Sequence, residues 1–319
     1  MSFENTVEME TPATSCFQNN SQRDSGRRIQ GKVAVKTCSV LTLLTFIVVG
    51  TAFAAGGGPD SRGLEITGSS TIQPIAEMVG ELYRRKYGVP VSVKGGGSRA
   101  GIESALSGAA DIGLVSRALR ADEKARLAYA TIGHDAVVII VNNSNPLGEM
   151  QKDSLVALYS GTVRNWKELG GKDEPVLLVS KLPGRSTLAL FEEYTGLRHP
   201  SRAEKGPSGS ISNSAYEIGS NLESATLVGG LPGAVGYVSL GTAISLIEKG
   251  MPIKILILEG IEGTRENVMN GKYPVRRELN LVFRKENRRV KRFVSFFMGP
   301  EGQRILRNQD FIPIKLVTR

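Results

Sequence analysis

The sequence predicts an α/β fold, strands joined by crossover helices, and three observations carry that prediction. Apolar segments of strand length alternate with segments of helical spacing along the chain. Glycine is plentiful, at 37 residues, while aromatics make up 6%, a balance suited to tight strand-to-helix turns. Ala136–Val141 reads AVVIIV, an almost purely apolar and β-branched run that suits a fully buried parallel strand. With 319 residues and 40% hydrophobic content, the chain can bury one or two ordinary cores.

Taken in order, Leu64–Thr67 is a short strand, and Ile72 to Tyr87 has helical spacing through Ile75, Met78, Val79 and Leu82. Val89–Val93 is a second strand, leading through three glycines into a helix from Arg99 to Ser107. Asp111–Val115 is a third strand, and the apolar run at Ala136 follows it. Further strands fit Val176–Ser180, Val235–Val238, Lys254–Leu258 and Leu279–Phe283. Helices fit Asp153–Tyr159, Thr187–Tyr194, Thr242–Lys249 and Val290–Met298. The alternation argues for parallel sheets. His199–Ser214, rich in Ser, Gly and Pro, is expected as a surface loop.

The N-terminus reads as an address. Arg27, Arg28, Lys32 and Lys36 precede the apolar run Val40–Ala54, which ends in the small-x-small triplet Ala52-Phe53-Ala54. The run is short for a membrane span of roughly twenty residues. Residues 1–54 are therefore expected to be an N-terminal extension and signal peptide cut after Ala54, a retained anchor being the alternative. Both cysteines, Cys16 and Cys38, fall in the removed segment, leaving the mature chain without a thiol, a disulfide or a Cys-based metal site. A soluble exported protein of this kind points to a periplasm.

Charge narrows the function classes. The mature chain carries (40−5)−(31−4) = +8, scattered apart from one run at Arg284–Arg292. Nucleic-acid binders cluster their charge and interleave it with aromatics, so this run reads as a solvated helix face. Diffuse positive charge suits anion capture, because it steers anions to the protein. With His134 and His199 as the only histidines, a zinc site or Cys-His catalysis is not expected, and neither a metal nor a cofactor is called for. His134 reads as structural, and Trp166 as a packing residue.

Three segments share one design, a strand followed by a Gly/Ser turn and a helix. They are Gly68-Ser69-Ser70-Thr71, Gly95-Gly96-Gly97-Ser98 and Gly184-Arg185-Ser186-Thr187. Each places free N–H groups and hydroxyls at a helix N-terminus, where the dipole favours negative charge. Ser70, Ser98 and Thr187 are either ordinary N-caps or parts of an anion cage. None of the three matches the Walker or dinucleotide spacing.

At these same residues the chain resembles the phosphate-binding proteins of high-affinity phosphate ABC transporters. The resemblance is carried by Gly68–Pro74 (GSSTIQP), Gly95–Ile102 (GGGSRAGI), Asp111–Arg117 (DIGLVSR) and Pro232–Ser239 (PGAVGYVS). Tyr159–Gly171, Glu301–Ile305 and Phe311–Pro313 extend it in order over nearly the whole mature chain. It implies a two-lobed type II periplasmic-binding fold of mixed sheets flanked by helices, with ligand in the interlobe cleft. Lobe one would be 62–138 plus 238–319 and lobe two 139–237, crossed by the strands at Ala136–Asn142 and Val235–Val238. The implied ligand contacts are Ser70, Thr71, the N–H of Ile72, Ser98, Arg117, Lys181, Arg185, Ser186 and Thr187. The implied partners are phosphate or a similar oxyanion and a membrane permease, the protein acting as a monomer and not as an enzyme. An anion sensor for a membrane receptor and a phosphohydrolase are the rival readings.

Two departures from the family pattern bear on selectivity. The best-known members have an Asp where Arg117 stands; Arg117 can only donate, so fully deprotonated oxyanions are expected to compete better here. The usual Arg-x-x-Gly-Ser-Gly-Thr reads Lys181-Leu-Pro-Gly-Arg185-Ser-Thr187, which exchanges a fork for a point charge and adds a cation.

Overall fold

The computed structural model describes residues 62–202, 204–284 and 288–314. The proposed signal segment, its cleavage site and both cysteines lie outside the described residues.

The chain runs β1 (Leu64–Gly68), α1 (Gln73–Tyr87), β2 (Val91–Gly95), α2 (Ser98–Ser107), β3 (Ile112–Val115), α3 (Ala121–Arg126) and the long β4 (Ala128–Asn142). It continues through β5 (Glu149–Met150), α4 (Lys152–Ser160), β6 (Leu177–Lys181), α5 (Ser186–Thr195), β7 (Tyr216–Ile218), α6 (Asn221–Gly230) and β8 (Ala234–Ser239). The remainder is α7 (Leu240–Glu248), β9 (Ile253–Ile255), β10 (Ile257–Leu258), α8 (Arg265–Met269), β11 (Arg276–Phe283), α9 (Arg288–Met298), α10 (Pro300–Asn308) and β12 (Ile312–Pro313).

The main sheet has the order β2-β1-β3-β11-β4-β8-β6-β7, with β9 and β12 also paired to β4. β1 lies parallel to β2 and β3, and β6 lies parallel to β7 and β8. β4 and its neighbour β11 depart from the parallel sheet expected from the sequence, β11 being antiparallel to β3 as well. For β4 the departure is on both sides: it is antiparallel to β11 on one side and to β8 on the other. Apolarity on both faces reports burial, which β4 has in full from Asp135 to Val141; it does not report strand direction.

The hydrophobic core divides along β4. Ile132 packs with Ile66, Ile75, Val79, Leu281 and Phe293, whereas Ala136–Val141 pack with Leu158, Phe191, Val235 and Tyr237. Leu240, Ile253, Leu258 and Tyr273, assigned to lobe one from the sequence, are buried in this second cluster. The reason is the pairing of β9 with the far half of β4, Ile140 opposite Ile255. Trp166 is buried in the second cluster, and its indole N–H donates to the Gly233 carbonyl at 2.8 Å.

Strand registers set up the site. Gly68, at the end of β1, lies opposite Gly95 of β2 and Leu114 of β3, so these strands finish level and α1 and α2 begin side by side. Gly68 has φ +146°, and a Cβ there would sit 2.3 Å from the Leu114 carbonyl oxygen, which only glycine avoids. On the other half, Lys181 of β6 lies opposite Ile218 of β7, which brings the starts of α5 and α6 together. Four helices thus begin at the carboxyl ends of parallel strands, the usual place for a ligand crevice in such sheets.

Candidate functional site

The hydroxyls at the first three helix starts do not cap their own helices. The N-cap positions of α1, α2 and α5 are Ile72, Gly97 and Arg185, and none of these side chains accepts a capping hydrogen bond. Instead the hydroxyls meet across the two halves of the molecule. Ser186 Oγ donates to Ser98 Oγ, and Ser98 Oγ also accepts from the Ser116 N–H at 3.1 Å. The Arg99 N–H reaches the Gly184 carbonyl at 3.3 Å alongside them.

Arg277 joins the remaining pair. Its Nη1 donates to Thr187 Oγ1 at 3.0 Å and its Nη2 to Thr71 Oγ1 at 3.1 Å. The guanidinium is held from behind by Asp135, whose Oδ2 accepts from Nε at 2.9 Å and from Nη2 at 2.7 Å. Arg277 and Asp135 are register partners on antiparallel β11 and β4, and their side chains are 0% and 1% exposed. The result is a buried cation aimed at two helix-start hydroxyls from opposite halves.

Of the residues singled out from the sequence, Thr71, Ser98, Ser186 and Thr187 are buried together in this cluster. Ser70 is half-buried at its edge, and the hydroxyl that turns inward beside it is that of Ser69, donating to Ser116 Oγ at 2.7 Å. The Ile72 N–H turns back to the Ser69 carbonyl at 3.1 Å. Lys181 is buried at the end of β6, where Nζ donates to the Ser220 carbonyl at 2.7 Å. Burial pushes its pKa well below the usual lysine range; Glu223 opposes that, while Arg277 and Arg185 add to it.

Arg117 takes another partner. Its Nη1 and Nη2 donate to the two carboxylate oxygens of Glu123 at 2.7 and 2.6 Å, and Nη1 also to the Ala118 carbonyl. The fork that was expected to grip a ligand is closed on a carboxylate six residues along, because the chain turns there to begin α3. Arg185 is half-buried at the start of α5 and lies against Gly97, where a Cβ would come within 2.9 Å of its Cδ.

Three contributors were missed from the sequence. Asn221, the first residue of α6, donates from Nδ2 to Thr71 Oγ1 at 3.0 Å, a fourth helix start in the cluster. Its signal was present: Ser220 and Glu223 form a Ser-x-x-Glu capping box, with the Glu223 N–H donating to Ser220 Oγ at 3.1 Å. Arg277 and Asp135 had no local signal, since each merely precedes an apolar run in the sequence.

Chemically, the cluster offers hydroxyls, first-turn N–H groups and one fixed guanidinium, a set that suits an oxyanion. Among the described residues there is no group of three or more His, Cys, Asp or Glu placed to hold a metal ion. His199 is buried elsewhere, with Nε2 2.8 Å from Glu217 and Nδ1 2.7 Å from Ser201.

Comparison with known proteins places the chain among solute-binding proteins. A sequence profile of the PBP superfamily domain matches residues 54–301. The chain is 29% identical over 269 residues to the phosphate-binding protein PstS of Bacillus subtilis, covering 82% of this chain and 84% of that one. It is 26% identical over 259 residues to PstS of Borreliella burgdorferi, covering 79% and 90%. Among solved structures, a Clostridium perfringens protein determined with bound phosphate aligns with a TM-score of 0.71 at 29% identity, over 80% of this chain and all of that one (100%). An ABC-type phosphate transport receptor from Vibrio cholerae aligns with a TM-score of 0.64 at 27% identity, over 79% and 100%.

Proposed function

The chain belongs to the PBP superfamily, and from that premise we propose that it captures inorganic phosphate, or a similar tetrahedral oxyanion, in the periplasm for uptake through an ABC-type permease. One observation carries this reading above the others. The unexposed Arg277 guanidinium donates to Thr71 and Thr187, hydroxyls at helix starts on opposite halves of the molecule. A tetrahedral anion between those helix starts would exchange its hydration shell for fixed donors: Thr71, Ser98, Ser186 and Thr187 hydroxyls, first-turn N–H groups, Arg277 and Lys181. Asp135 would keep the guanidinium oriented, so little ordering is needed when the ligand arrives. Closure of the two halves about the ligand by hinge motion is the conformational step that a permease would read.

In this proposal Arg277 supplies the buried charge for which the sequence had suggested Arg117, and Arg117 and Arg185 stand nearer the mouth of the cleft. Because donors dominate the cluster and Asp135 is engaged by Arg277, dibasic oxyanions are favoured over monobasic ones. Export with cleavage after Ala54 completes the reading; mass spectrometry of the natural protein should then find an N-terminus at Ala55, and a mass matching the uncut chain would oppose it. The main test is calorimetric titration of the mature protein with phosphate, arsenate, sulfate and molybdate. Saturable one-to-one binding of phosphate and arsenate, strengthening as pH rises through the second phosphate ionisation, is expected. Absence of phosphate binding, or a preference for the monobasic form, would overturn the proposal.

A further inference from the structure

Outside the buried cluster, a cavity of about 410 Å³ opens between α2, α3 and the start of α5. Ser186, which bonds Ser98 on the inner side, also lines this outer cavity. Its walls come from both halves of the molecule: α2 and residues 117–126 on one side, residues 183–189 and Arg202 on the other. Arg99, Arg117, Arg120, Arg126, Arg185 and Arg202 line it, against the carboxylates of Glu103, Asp122 and Glu123. The lining therefore carries a formal excess of 6 − 3 = +3.

The arginines are of two kinds. Arg99, Arg117 and Arg202 are paired, with Glu103, Glu123 and Glu192 at 2.7, 2.6 and 3.0 Å. Arg120, Arg126 and Arg185 have no carboxylate within 4.0 Å among the described residues. Arg185 faces both ways. It lines the outer cavity, its stem lies over Gly97 at the start of α2, and its charge adds to the field that depresses the pKa of buried Lys181.

We propose that this vestibule is a second, outer oxyanion site, which takes a phosphate dianion from solvent before Arg185 passes it to the buried cluster. The inference rests on the oxyanion reading of that cluster. Unpaired guanidiniums against protein walls focus the field and raise the local anion concentration, and their forked donors match a phosphoryl group. A weak site with several arginines also releases its ligand inward, which a single tight ion pair would hinder.

The test compares Arg120→Glu/Arg126→Glu with a charge-matched control, Lys172→Glu/Lys249→Glu, which alters exposed lysines outside the vestibule. Stopped-flow measurement of phosphate association at low salt should show an on-rate about ten-fold lower for the arginine pair, with the off-rate unchanged. The deficit should collapse at about 1 M salt, where the Debye length falls to ~3 Å and longer-range attraction is screened out, and the control should stay close to wild type. Equal losses in both pairs would mean bulk charge alone and would overturn the proposal, as would unchanged rates in both. A second readout does not depend on the buried cluster. The arginine Nε–H resonances of Arg120, Arg126 and Arg185 should shift together as phosphate is added, and those shifts should be absent from matched titrations with chloride. If the wild type shows no tight phosphate binding but these shifts persist, the proposed function and the transfer to the buried cluster both fail and only the outer anion site stands; without the shifts the vestibule fails, whatever the affinity.

Discussion

Replacing Arg277 with glutamine removes the charge at the centre of the site and leaves Asp135 behind it. The two side chains are 0% and 1% exposed, with a 2.7 Å contact, so solvent cannot take over for the lost partner. Breaking a buried ion pair from one side costs about 3–5 kcal/mol of stability, because the remaining charge is uncompensated. Loss of a charged hydrogen bond to the ligand should cost a further ~1.5–3 kcal/mol of binding, roughly ten- to a hundred-fold in affinity. The informative partner is Asp135→Asn. It should also lower stability, but it leaves the Arg277 charge in place, and a bound dianion can then act as its counter-ion. Urea unfolding with and without phosphate separates the two variants. At ligand near a hundred times Kd, binding adds about 2.7 kcal/mol to a protein that binds. Phosphate should therefore rescue Asp135→Asn by at least that much and Arg277→Gln far less. An Arg277→Gln protein within about three-fold of wild-type affinity would refute the assignment, as would equal rescue of both variants.

Other outcomes follow from the same geometry. Burial opposes ionisation of Glu123, but hydrogen bonds from the Arg117 side chain and the Arg120 N–H outweigh it and hold the carboxyl below the usual 4.5. Its stabilisation is complete above that value and lost as pH falls through the lower folded-state pKa. Arg117→Ala should thus raise the pH of acid unfolding, while its effect on neutral-pH phosphate affinity stays below that of Arg277→Gln. A Cβ at Gly113 would lie 2.2 Å from the Gly101 carbonyl oxygen, pushing α2 away from β3. Gly113→Ala should cost ~1–3 kcal/mol and weaken binding by displacing Ser98, whereas Gly148→Ala, with open space around it, should do neither. Ser220→Ala should remove about 1 kcal/mol of stability by uncapping α6, measured as a lower urea midpoint.

What the sequence alone determined is local. A Gly/Ser turn between a strand and a helix is a short-range signal, so the starts of α1, α2 and α5 could be placed from it, and with them Thr71, Ser98, Ser186 and Thr187. The same holds for the apolar β4 and for most helices, whose boundaries fall within a few residues of those expected. Even α6 carried such a signal in Ser220 and Glu223. Tertiary structure decided which hydroxyls face one another, and which cation stands among them. Asp135 and Arg277 are 142 positions apart, and only the antiparallel pairing of β4 with β11 sets them side by side. Two apolar faces tell that a strand is buried, but backbone hydrogen bonding fixes the direction of its neighbours, and that depends on the whole chain path. Arg117 shows the converse. A motif can mark an arginine as a ligand contact, yet Glu123 lies close enough, once the chain turns into α3, to take both ends of its guanidinium. Charge is written in the sequence; the partner that neutralises it is chosen by distance in the folded chain.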